Sequence, residues 1–214
     1  MAGHIESARP KSLRSCALGV VALLIVLRWA TPEQSFAQGA FRATPHVGGW
    51  FPIGVVHEEV VNGDVVRRAQ VGDIMVGGRA GISFADGFAI EFSLGCSPGQ
   101  VARTDRSGTA DVPGLALLAS TRLTRLVRMR GEFDGHFAAG AGVLRRSGRG
   151  WGGTHTTPAL IAAVGIETAL IPGSAFRMEI EIHASRGRRA APGPPPWRGD
   201  VVLSFGIVLP SPRR

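Results

Sequence analysis

Period-two alternation of apolar and polar side chains is the feature that most limits what this chain can become, and Val71 to Cys96 shows it most cleanly. Ile74, Val76, Ala80, Ile82 and Phe84 share one parity, with Asp73, Arg79 and Ser83 on the other. After Ala85-Asp86-Gly87 the pattern resumes, with Phe88, Ile90, Phe92, Leu94 and Cys96 set against Ala89, Glu91, Ser93 and Gly95. Side chains of a strand alternate faces, and Asp-Gly tolerates the positive φ of a tight turn, so the segment predicts a β-hairpin. Each arm also matches the roughly 9 to 11 residues a tilted strand needs to cross a bilayer.

The same alternation recurs along the chain, and no stretch shows helical periodicity over a comparable length. It predicts strands at about Ala43 to Ile53, Leu115 to Leu123, Gly131 to Val143, Leu160 to Glu167, Phe176 to Ser185 and Val201 to Leu209. With the two arms of the hairpin the total is eight. Long polar connections follow the first, third, fifth and seventh strands (Gly54 to Gln70, Ser97 to Pro113, Arg145 to Thr157, Arg186 to Gly199), and short turns follow the others. Up-and-down neighbours joined in this way put every long loop at one end and every short turn at the other, the layout of bacterial transmembrane barrels. The expected fold is all-β: an eight-stranded antiparallel up-and-down transmembrane β-barrel with a polar, side-chain-filled interior.

In such a barrel the apolar parity meets lipid and the polar parity turns inward. The predicted interior network is Asp73, Arg79, Glu91, Arg122, Glu132, Asp134, His136, Glu167, Arg177, Glu179, Glu181 and His183, with Asp200 on the same parity. An eight-stranded barrel is just wide enough for side chains to fill, so these charges should pair and leave no channel. Interleaved Gly and Ala leave room for their long arms. Phe84, Phe88, Phe133 and Phe176 lie beside the short turns, and Trp50, Trp151 and Trp197 lie by the long loops, which suggests two interfacial belts. A soluble barrel of the lipocalin kind, with the apolar parity inside, also alternates. The near absence of charge on the apolar parity and the clustering of acids opposite Arg weigh against it.

Residues 1–37 read as a signal peptide. Lys11 and Arg14 precede an apolar run from Cys16 to Leu27, and Ser35-Phe36-Ala37 supplies a small-x-small cleavage site. The barrel domain is then 38–214, with export to the bacterial outer membrane as the expected destination. The leader takes 4 of the 24 basic residues and 2 of the 16 acidic ones, leaving 20 and 14, and none of the 20 is Lys. Guanidinium forks suit phosphate and carboxylate. An exported cationic protein meets lipid headgroups, and no nucleic-acid-reading pattern is present. Only Cys96 remains after cleavage, so no intramolecular disulfide is expected in the mature barrel, and Cys96 itself is read as an apolar surface residue.

Taken with these strands, the chain resembles the small outer-membrane β-barrel proteins of the OmpA/OmpX type over nearly all of its mature length. The resemblance implies a monomer inserted by the barrel-assembly machinery, with outer-membrane lipid and lipopolysaccharide as its surroundings and no cofactor. Such barrels usually end in an aromatic residue that the machinery reads, whereas this chain ends Leu209-Pro210-Ser211-Pro212-Arg213-Arg214, with Phe205 and Leu209 in its place.

Two sets of residues are candidates for function. Arg67, Arg68, Arg103, Arg106, Arg145, Arg146, Arg149, Arg186, Arg188 and Arg189, with Arg198 nearby, populate the long loops and suit lipopolysaccharide phosphates or another anionic polymer. The alternative is a solubilising loop surface. His183-Ala184-Ser185 looks like the His-x-Ser of outer-membrane lipid A 3-O-deacylases, although Arg186 stands where that family has Asn and Asp200 is the only later acid. Catalysis is weighed there against an interior histidine in a polar network. No metal site is expected, since His46, His57, His136, His155 and His183 lack ligand spacing.

Overall fold

The computed structural model describes residues 41–54, 57–84, 87–129, 132–172, 174–187 and 192–210. Residues 1–37, expected to be a signal peptide, together with Ala85-Asp86, Arg188, Arg189 and the tail 211–214, lie outside these residues.

The described chain forms ten antiparallel strands: β1 (Phe41–Ile53), β2 (His57–Val61), β3 (Asp64–Gln70), β4 (Asp73–Ser83), β5 (Phe88–Asp105), β6 (Gly108–Arg128), β7 (Phe133–Ser147), β8 (His155–Ile171), β9 (Ser174–Arg186) and β10 (Trp197–Pro210). Eight of them close a ring in which each pairs with its sequence neighbours: β1, β4, β5, β6, β7, β8, β9 and β10, with β1 against β10 sealing it. Closure leaves the membrane-spanning backbone without an edge, the condition lipid imposes on any sheet that crosses it. The fold is an eight-stranded antiparallel up-and-down transmembrane β-barrel.

The apolar parity points out. Phe51, Ile74, Phe92, Phe137, Leu160 and Ile182 are each more than half exposed, while Arg79, Arg122, Arg177, Glu179 and Glu181 are buried. That inversion excludes the soluble barrel with an apolar interior. At the short-turn end the Phe84 and Phe88 rings stack at 6.3 Å, and Phe176 stacks on Phe205 at the same distance. The Phe belt is therefore present, but the Trp belt is corrected: Trp50 and Trp151 are inside the barrel and only Trp197 is exposed. Trp50 belongs to the inward parity of β1, and a fully buried indole contributes more by filling the lumen than it would at an interface. Cys96 is also corrected, being buried and not an apolar surface residue.

Two expected loops are sheet. Gly54 to Gln70 contains the β2–β3 hairpin, whose turn is Asn62 (φ 52) and Gly63 (φ 84). Both central residues at positive φ suit the right-handed twist of flanking strands, which is why Asn-Gly favours that turn. Ser97 to Pro113 is the upper part of the β5–β6 hairpin, closed at Arg106-Ser107 by Asp105, whose carboxylate accepts from the Ser107 amide at 2.9 Å. β3 pairs with β5 from Arg67↔Thr104 to Gln70↔Val101. Beyond the apolar band the barrel thus continues into a four-stranded sheet, β2-β3-β5-β6. β6 alone has 21 residues, roughly 70 Å of strand, far more than a 25 Å apolar band requires.

Candidate functional site: a sealed ionic lumen beneath a cationic mouth

The lower half of the lumen, toward the short turns, holds the charge network. Four guanidiniums (Arg42, Arg79, Arg122, Arg177) meet four carboxylates (Glu91, Glu167, Glu179, Glu181). Arg122 is the hub: its Nε donates to Glu91 at 2.9 Å, while Nη1 and Nη2 donate to the two oxygens of Glu179 at 2.6 and 3.0 Å. Arg177 bridges Glu91 at 2.7 Å, Glu179 at 2.5 Å and Glu167 at 3.3 Å. Arg79 pairs with Glu179 at 2.9 Å and with Glu181, and Arg42 closes on Glu167. Thr124 donates to Glu91 at 2.8 Å and His136 Nε2 lies 2.6 Å from Glu179. Equal numbers of opposite charge, each hydrogen-bonded, are what make ions tolerable where water is excluded.

Small residues make the space. A Cβ on Gly140 would lie 2.6 Å from the Cβ of Arg122 and closer still to a carbonyl of β6, one on Gly165 would meet the His136 ring at 2.5 Å, and one on Gly81 would meet Glu91. The glycines opposite long side chains in the sequence are therefore steric necessities of the network.

Of the predicted interior set, Arg79, Glu91, Arg122, His136, Glu167, Arg177, Glu179, Glu181 and His183 are buried in the lumen, and Asp200 joins them. Glu132 and Asp134 are corrected: both are exposed at the short-turn rim, beyond the reach of the Arg layer. Asp73 is half-buried at the opposite end, where its carboxylate accepts from the Ile74 amide. Arg42 and His46 complete the layer, and alternation along β1 was the signal for both.

Above the ions lies an apolar layer of Trp50, Met75, Leu118, Leu144, Ile161 and Val202. His183 sits at this boundary, edge-on to Trp50 at 5.6 Å, with Nε2 3.1 Å from Glu181. Ser185, two residues on, is fully buried, and neither its hydroxyl nor His183 Nδ1 has a hydrogen-bond partner among the described residues. A nucleophilic serine needs its base within hydrogen-bond reach and a path for substrate. The fold brings His183 and Ser185 onto one face but does not join them as a dyad.

The mouth is built from the inner face of the extra sheet and the loop after β7. Trp151, in a 3-10 turn spanning Arg149–Trp151, packs against Val101 beneath the sheet. Arg146 pairs with Asp200 at 2.8 Å, and Arg68 pairs with Glu59 at 2.6 Å. The rings of His57 and His155 stack at 4.4 Å, His57 Nε2 lies 3.2 Å from Glu59, and His155 Nε2 lies 3.0 Å from the Trp151 carbonyl oxygen. Burial holds the His57 imidazole below its ordinary pKa, and the hydrogen bond from Arg68 holds the Glu59 carboxyl below its own.

The loop arginines therefore divide. Arg68 and Arg146 point inward, a correction to their reading as surface cations, because each occupies the inward parity of its strand. Arg67, Arg103 and Arg106 are paired with Glu58, Asp105 and Asp64. Arg145, Arg149 and Arg186 are exposed and have no carboxylate partner among the described residues; Arg186 lies over the Trp197 ring at 5.1 Å. Among the described residues no group of three or more metal-ligating side chains converges.

This closed ring, with lipid-facing apolar side chains and a filled polar lumen, is the architecture of the small outer-membrane β-barrels. Solved structures that share it include the outer membrane protein OprG from Pseudomonas aeruginosa, 14% identical over 81% of this chain and 96% of that one (TM-score 0.59). Neisserial surface protein A, NspA, is 8% identical over 81% of this chain and 99% of that one (TM-score 0.55). At such identities the likeness is one of fold. No family model and no curated protein sequence matches the chain.

Proposed function

We propose that the protein is exported by its leader to the bacterial outer membrane, where it serves as a monomeric structural or surface-interaction barrel whose mouth contacts lipopolysaccharide. The observation that carries this reading is the set of exposed cations with no carboxylate partner among the described residues, Arg145, Arg149 and Arg186, at the long-loop end above the apolar girdle. Guanidiniums without a carboxylate partner retain all their donors for phosphate oxygens, and outer-leaflet lipid A presents those phosphates at that height. A filled lumen leaves the loops as the surface through which such a barrel meets other molecules.

The experiment has two arms. Detergent-extracted protein should migrate differently on gels before and after boiling, as a closed barrel resists detergent until heated, and should fractionate with outer membranes. Refolded protein should bind lipopolysaccharide-containing vesicles in a salt-dependent way, and Arg145→Gln with Arg149→Gln should weaken that binding several-fold. Unchanged binding in the double variant would remove the lipopolysaccharide reading while leaving the barrel intact.

A further inference from the structure

A pocket of about 110 Å³ opens at the mouth between the loop after β7, the start of β2 and the end of β9. His57, Arg146, Trp151, Thr154, His155, Thr156, Thr157 and Arg186 line it. The lining contains two guanidiniums, two imidazoles and three threonine hydroxyls, and no carboxylate. The acids beside it are paired on one side: Asp200 accepts from Arg146 Nη2 through Oδ2, its buried Oδ1 having no partner among the described residues, and Glu59 accepts from Arg68. Arg146, although 3% exposed, leaves its buried Nε without a partner. A buried donor left unpaired costs free energy, so it favours a ligand oxygen or an ordered water.

Size narrows the class. A cavity of about 110 Å³ has room for one tetrahedral oxyanion or a few waters. Convergent Arg forks and hydroxyl donors with no acceptor among the charged groups suit three or four negatively charged oxygens better than a cation or an apolar group. Thr154 and Arg186 are exposed, so the pocket is reached from the long-loop side, and a group held in it can be the end of a larger molecule.

We infer that this pocket binds a phosphoryl group, either free phosphate or the terminal monoester of a larger anion. The site shares Arg186 with the cationic surface described above but includes neither Arg145 nor Arg149, and its existence does not depend on lipopolysaccharide binding there. Arg186 supplies the charge at the entrance, Arg146 the charge at the floor, and the threonines orient the oxygens. The Arg186 side chain is held in place over the Trp197 ring.

The test uses the full chain refolded in detergent, with folding verified by heat-modifiable mobility, and titrates inorganic phosphate and glucose 1-phosphate by calorimetry and by 31P line broadening. Saturable phosphate binding is expected. It should weaken about tenfold or more in Arg186→Gln, as expected for loss of a charge-assisted hydrogen bond, and measurably in Thr154→Val. Binding should persist in Arg145→Gln with Arg149→Gln, which separates this site from the lipopolysaccharide surface. Tighter binding of glucose 1-phosphate than of phosphate identifies a monoester ligand, and the reverse identifies the free anion. Folded protein with no saturable phosphate binding, or equal losses in Arg186→Gln and the Arg145/Arg149 double variant, overturns the inference.

Discussion

Replacing Arg122 by methionine tests the ionic lumen at its hub. The substitution keeps an unbranched side chain of similar reach in a position that is fully buried, so packing changes little. It removes donors to both oxygens of Glu179 and to Glu91, leaving three guanidiniums for four carboxylates. Breaking a buried ion pair by deleting one partner costs about 3 to 5 kcal/mol, because the remaining charge stays desolvated. That range is roughly two to three and a half powers of ten in the unfolding equilibrium. Glu91→Gln in the same background removes the orphaned charge and restores the balance at three of each. It leaves Arg177 with Glu167 and Glu179. The double variant should recover about 1 to 3 kcal/mol relative to additivity, the coupling typical of residues in one network. Urea titration of protein folded into lipid vesicles measures all four corners, with Trp50 reporting from the lumen. A cost below about 1 kcal/mol for Arg122→Met, or additive single effects, would show that the charges are not mutually dependent.

Other parts of the structure carry their own expectations. Phe92→Arg on the lipid face, about 10 Å along the barrel axis from the Phe88 belt, should cost roughly 2 to 4 kcal/mol of folding stability in vesicles, whereas Arg in place of exposed Gln100 in the upper sheet should cost little. Gly140→Ala should destabilise by about 1 to 3 kcal/mol, since its Cβ would press on the β6 backbone and on Arg122; an unchanged urea midpoint would show that the strands can part to admit it. Acid should loosen the β2–β3 hairpin in two steps. His57 is held below 6.5 when folded, so the unfolded hairpin takes up its proton first and stability falls as pH drops through about 6.5; Glu59 is held below 4.5, so its contribution falls below that pH. Amide hydrogen exchange in β2 and β3 should accelerate over those windows, and His57→Asn should flatten the upper one.

The barrel itself was legible because lipid favours apolar side chains on every outward position that it covers. Outward residues of β4 and β5 between the Phe belt and the mouth are apolar or small, so their parity can be read residue by residue from Ile74 to Leu94. Above the membrane that constraint lapses. The upper halves of β5 and β6 carry Gln100, Arg103, Thr104, Asp105, Thr109 and Asp111, and a strand wet on one face and folded over a loop on the other leaves no apolar rhythm. Asn62-Gly63 between Val60-Val61 and Val65-Val66 was the local signal for the β2–β3 hairpin, hidden by its position inside a segment that reads as polar connection. Glu132 and Asp134 share the parity of His136 yet miss the network, because parity sets a direction and register sets the depth. The mouth pocket was the least visible feature. His57, Arg146, His155 and Arg186 come from four strands, and only barrel closure places them together.

The vertical order of the lumen explains how one short chain can hold a charged interior and a cationic mouth at once. The four Arg and four Glu are ion-paired with one another at the short-turn end, and the Trp50, Met75, Leu118, Leu144, Ile161 and Val202 layer separates them from the loops. Water or an ion entering from above would have to displace packed apolar side chains before reaching a charge that is already ion-paired, so neither burial nor charge rewards passage. The mouth is different: Arg146 has an unpaired nitrogen and Arg145, Arg149 and Arg186 have no carboxylate among the described residues. The lower lumen thus acts as a scaffold, while arginines with no carboxylate partner among the described residues collect above the seal, where a ligand can arrive without unpacking the barrel.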